Sequence, residues 1–255
     1  MILDCESYDS ARQSICETFG IADGALLKFL TNLDLDKLYD DRQAAEIWTD
    51  DALIDAVECA FKTKAVPFDR VAWFHLTRTI QTPEAFSEGI FPLTERLESL
   101  WQMLISLPGN LERSANLANL RAAGVPDHLY QLKANSPIHS GPYAMLVRES
   151  AFCSNEMHNH DYLRVPEIIE DICNGYMKQF GKSILSEVSE ALTPCVIKFE
   201  MHDDSARSLL EPALTYSWCK ANGQTLHIRT NTCFDGRGKT VPSESIKKIQ
   251  FSPVA

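Results

Sequence analysis

The chain has 255 residues, 45% of them hydrophobic, with 35 acidic against 24 basic side chains and a formal net charge of −11. This length fits one large domain or a core with a helical attachment, and the apolar fraction supports a sizeable buried core rather than global disorder. The acidic balance argues against general nucleic-acid binding, which works by neutralising phosphates with Lys and Arg, and suits solubility or a basic protein partner.

The opening MILDCESYDS has no basic start and no long apolar run, so no signal peptide is expected. No apolar stretch approaches the roughly 20 residues of a membrane helix. Eight dispersed cysteines, with no C-x-x-C pair among them, predict reduced thiols and a cytoplasmic location.

Residues 8 to about 65 read as helices. Ser10 and Gln13 have capping-box spacing, and Gly20 closes the first helix. Thr49, followed by Asp50 and Asp51, predicts the start of a helix with an apolar face from Leu53 to Phe61. Ala65-Val66-Pro67 ends the helical segment. Asp69–Arg78 is rich in aromatic and branched residues, as a strand should be. Thr82-Pro83-Glu84 predicts a short helix ending at Gly89, and 92–107 a longer amphipathic one. Two more helices are expected to end near Gly124 and Asn135. Strands are expected over 141–152, 194–202, 224–234 and 246–251. A helix opens at Val165-Pro166-Glu167, with a break near Gly181, and another covers 205–221. The reading is α+β, with a helical segment over 1–65 and a core of short strands and helices over 66–255.

The chemistry-bearing segment is Trp73-Phe-His75-Leu-Thr77-Arg78, then Gly89-Ile90. His75 interrupts an apolar strand, and Thr77 shares its face. Near the C-terminus, Val241-Pro-Ser-Glu244-Ser-Ile246 leads into the last strand. This combination resembles ADP-ribosyltransferases, in which a strand-borne His orients the NAD ribose and a short helix with a Gly-hydrophobic step follows. A Pro-x-x-x-Ile step leads into their final strand.

The resemblance covers about residues 70–251 and implies NAD as the substrate, a macromolecular acceptor, and a toxin, effector or phage-defence setting. It implies His75, Thr77, Arg78, Tyr143 and Arg148 as NAD-binding residues, with Tyr143 stacking on nicotinamide. The family's catalytic Glu would fall shortly before the Pro step, yet 229–240 holds no Glu and only one acid, Asp235. Asp235 and Glu244 are therefore the candidate acids, alongside His75. Glu244 also reads as an acid at a helix start. That missing Glu leaves a second reading open: a non-catalytic, acidic binding or neutralising partner with a degenerate enzyme fold.

Cys153, Glu156, His158, His160 and Asp161 are zinc-ligand types at close spacing, but no partner pair completes a site, so a polar loop and no metal are expected.

Overall fold

The computed structural model describes residues 1–46, 51–135, 141–203 and 206–254. It is an α+β structure. Among the described residues, ten helices accompany a sheet of six strands. In chain order these are β1 (Ile2–Leu3), α1 (Tyr8–Phe19), α2 (Asp23–Asn32), α3 (Leu35–Ala44), α4 (Ala52–Phe61) and β2 (Arg70–Thr79). Next come α5 (Leu93–Ser106), α6 (Leu111–Ala123), α7 (His128–Asn135), β3 (Tyr143–Met145), α8 (Glu167–Phe180) and α9 (Leu185–Ala191). β4 (Thr193–Met201), α10 (Ala206–Ala221), β5 (Cys233–Asp235) and β6 (Ile246–Phe251) complete the fold.

The strand order is β5-β3-β2-β4-β6, with β1 parallel to β2 and β3 antiparallel to it, Phe74 opposite Met145. Central β2 buries Val71 to Phe74 without interruption, as expected of a strand covered on both faces. Among the described residues, no helix is long and apolar enough to cross a membrane.

The chain divides into two compact units. The first comprises Met1–Phe74, Met145–Asn159 and Phe199–Cys233. Its centre is α10, which buries Leu209, Leu210, Ala213, Leu214, Tyr216 and Cys219 and is packed by α1, α2 and α4. A helix apolar on most of its surface belongs inside a core. Glu211 of α10 accepts the backbone N–H groups of Leu53 at 3.0 Å and Ile54 at 3.2 Å, capping the free donors at the start of α4. Desolvation raises the Glu211 pKa, and the two N–H bonds oppose that rise. Glu211→Gln keeps an acceptor and should leave stability nearly unchanged. Glu211→Ala strands those donors and should cost about 1–2 kcal/mol in urea unfolding.

The second unit comprises His75–Ala144, His160–Lys198 and Phe234–Ala255. Its helical core joins Leu100, Trp101 and Leu104 of α5 with Leu117 and Leu120 of α6 and Ile169, Ile172 and Tyr176 of α8. The Trp101 indole N–H donates to Tyr130 Oη at 3.1 Å, so this buried polar atom is satisfied. Asp127 caps α7 through the N–H groups of Leu129 and Tyr130.

Several local expectations are corrected. The capping box at α1 uses Ser7 and Ser10, one turn earlier than Ser10 and Gln13. Asp51 is the N-cap residue of α4 rather than part of its first turn, and Thr49 and Asp50 lie outside the described residues. Residues 83–88 are successive turns rather than a helix. Their bonds, Ala85 N to Thr82 O, Ser87 N to Glu84 O and Gly89 N to Phe86 O, have three-residue spacing, and Phe86 has φ +64°.

The strand expected over 141–152 holds only for Tyr143–Met145. Beyond it, Asn231 Oδ1 takes the Val147 N–H, Cys5 O takes that of Arg148, and Arg148–Phe152 winds into a 3-10 turn. The strand expected over 224–234 shrinks to β5, because Ile228–Thr230 forms a 3-10 turn closed by the Thr230 hydroxyl on His227 O.

Candidate functional site

His75 lies mid-way along β2 and is half-buried. Its Nδ1 is 2.7 Å from Tyr143 O on the neighbouring strand β3. A carbonyl oxygen can only accept, so Nδ1 carries the proton. The neutral ring then presents Nε2 as an acceptor. Desolvation lowers the His75 pKa, and the bond to Tyr143 opposes this only in part. The imidazole is thus held neutral in one tautomer and one orientation.

The folded state consequently takes up this proton at lower pH than the unfolded chain, whose His titrates near 6.5. The His75 contribution to stability is full above about pH 6.5 and is lost as pH falls toward the depressed value. Ring resonances followed by NMR should show His75 titrating below the ordinary histidine range. Titration at or above that range would contradict this environment.

Tyr143 leaves 43% of its surface exposed. Its phenol pKa is raised by desolvation first, then by the charges of Asp235 and Glu167. Asp235 ends β5, the strand on the other side of β3. Its Oδ1 accepts the Arg237 N–H at 2.8 Å, which fixes the turn that follows. Gly236 N–H donates to Pro142 O at 2.9 Å and Gly238 N–H to Gly141 O at 2.8 Å, pinning that turn beside Tyr143. A Cβ on Gly236 would fall 2.6 Å from Pro142 Cδ, so this approach needs a glycine. His75, Tyr143 and Asp235 thus lie on three successive strands, β2, β3 and β5, with His75 bonded to the Tyr143 main chain and Asp235 an electrostatic neighbour of the Tyr143 phenol.

The two sequence steps flanking this region meet in space. Ile90 and Val241 exchange both backbone hydrogen bonds at 2.9 Å, an isolated antiparallel bridge. Gly89 has φ +108°, and a Cβ there would lie 2.3 Å from Val241 O.

Other expected site residues are placed differently. The Arg78 guanidinium donates to Leu163 O, Ser189 O and Leu192 O, each at 2.6 Å, and so clips β2 to the turn before α8 and to the C-terminal end of α9. Thr77 is half-buried on the His75 face of β2. Arg148 belongs to the other unit, in the 3-10 turn after β3, with its guanidinium 5.1 Å from the Phe152 ring centroid. Glu244 is exposed in a 3-10 turn before β6, the sheet edge opposite β5.

In the polar loop, His160 Nε2–H donates to Val165 O at 2.6 Å, and His158 has φ +50°. Among the described residues, no group of three His, Cys, Asp or Glu side chains could hold a metal ion. Glu167, in the first turn of α8, is the acid that sequence reasoning missed. It accepts from Tyr162 Oη at 3.1 Å, pairs with Lys133 at 3.1 Å and is an electrostatic neighbour of Tyr143. Its only sequence signal was its position after Val165-Pro166, which marks a helix start. No family model, curated protein or solved structure matches this chain.

Proposed function

We propose that the chain is an ADP-ribosyltransferase-like protein that binds NAD on the β2-β3-β5 side of its sheet. The observation that carries this reading is the placement of a neutral His75, an exposed Tyr143 and the Asp235 carboxylate on three adjacent strands, with His75 bonded to the Tyr143 main chain. The bridge between Ile90 and Val241 supports it, because it joins the two steps on which the sequence resemblance rests.

In this reading His75 Nε2 accepts a hydrogen bond from a ribose hydroxyl, and the Tyr143 ring stacks on nicotinamide. The glycosidic C–N bond breaks, and nicotinamide leaves as a neutral molecule with the bonding pair. The Asp235 carboxylate stabilises the positive charge that develops on the ribose. A nucleophile of the acceptor then bonds to the anomeric carbon and gives up a proton. Glu167 is the second candidate acid. A toxin, effector or phage-defence role belongs to the same proposal.

One observation favours the second reading, a non-catalytic partner protein on a degenerate enzyme fold: Asp235, one methylene shorter than a Glu, is the only acid between Arg229 and Thr240. Nicotinamide release from NAD, measured with and without cell extract, separates the two. The transferase reading expects release, stronger when an acceptor is present. Absence of release in both conditions would leave the binding-partner reading.

A further inference from the structure

The turn after β5 keeps a cation where the backbone resists one. Its Lys239 N–H donates to Gly236 O at 2.9 Å, and both central residues have positive φ, Arg237 at +50° and Gly238 at +74°. A turn of this kind favours Asn or Gly at its first central position, because a larger side chain is strained in the left-handed region. Arg237 stands there instead. Its side chain is exposed, as is that of Lys239. Among the described residues neither side chain enters an ion pair or a hydrogen bond, although the chain has 35 acidic residues to offer.

The main chain of this turn is pinned on both sides. Gly236 and Gly238 donate to Pro142 O and Gly141 O, and Asp235 Oδ1 accepts the Arg237 N–H. All of these bonds survive any change of side chain at 237. A strained residue whose side chain has no structural partner points to a ligand. The chemistry selects its class. A guanidinium offers a planar fork that fits phosphate oxygens, and the ammonium two residues on adds a second charge. A lone carboxylate uses one of these cations, whereas a group with several anionic oxygens uses both.

We propose that the 236–239 turn is a phosphate site, with Arg237 and Lys239 as its contacts. Two sources carry that group: the pyrophosphate of NAD, in which case the inference rests on the reading above, and the backbone of a single nucleic-acid strand.

Calorimetric titration of the full chain with NAD, inorganic pyrophosphate, a short single-stranded oligothymidylate and polyglutamate tests the site, beside urea unfolding. Arg237→Asn, which suits the left-handed position, should weaken binding of the phosphate probes about tenfold or more. Its urea midpoint should stay equal or rise, a combination that a structural role for Arg237 does not give. If the oligonucleotide binds through Arg237 and NAD does not bind, the phosphate site stands and the NAD reading falls. If NAD binds equally to Arg237→Asn, the site is overturned and the NAD reading stands. A lowered midpoint in Arg237→Asn, no binding of any phosphate probe, or equal binding of polyglutamate also overturns the proposal.

Discussion

His75→Ala should lower nicotinamide release by about 100-fold or more while the protein stays folded, the scale found when one preorganised group at a reacting centre is removed. The substitution removes an acceptor that burial keeps neutral and that the Tyr143 carbonyl keeps in one tautomer. His75→Gln offers a polar group without the ring geometry and should recover little. The fold should tolerate both changes, since His75 is half-buried and loses a single hydrogen bond to Tyr143 O. Unchanged release by a folded His75→Ala protein would remove His75 from the reaction.

Gly89→Ala should destabilise the chain by about 2–4 kcal/mol, from overpacking together with a positive φ that L side chains resist. The added methyl meets Val241 O at 2.3 Å, a backbone atom that moves only if the Ile90–Val241 bridge breaks. Urea unfolding should therefore show a lower midpoint. Release of nicotinamide should also fall, because Val241 follows directly on the turn that carries Asp235. A midpoint equal to that of the unchanged protein would mean that the bridge contributes nothing to the fold.

The helices and the long strands were legible because their signals are local. α5 and α8 follow a 3.6-residue apolar period and start after Pro92 and Pro166, and Gly181 ends α8 in the left-handed region. β6 begins where the Pro242 step ends. The short strands β3 and β5 were not legible at their true length. Segments 141–152 and 224–234 both have strand-like composition, but bonds to Asn231, Cys5 and His227, distant or side-chain in origin, stop the ladder. A local pattern carries no trace of such partners.

The same holds at the candidate site. His75 stood out as a polar residue within an apolar strand, and Asp235 as the one acid in its segment. That Tyr143 lies between them, and that Glu167 approaches the same phenol from α8, follows only from strand order and helix docking. Arg78 shows the reverse case. Its sequence position suggested a ligand contact, whereas the fold uses its guanidinium on three main-chain carbonyls, an anchoring role that no motif announces.

NAD binding at this face of the sheet is measured by calorimetric titration of NAD into the purified protein, run beside His75→Ala and Asp235→Asn. NAD should bind saturably and one-to-one to the unchanged protein, with binding greatly weakened by His75→Ala and largely retained by Asp235→Asn, as expected if that carboxylate acts on the charge that develops during bond breaking. No heat of binding to the unchanged protein, or equal binding to His75→Ala, would contradict it.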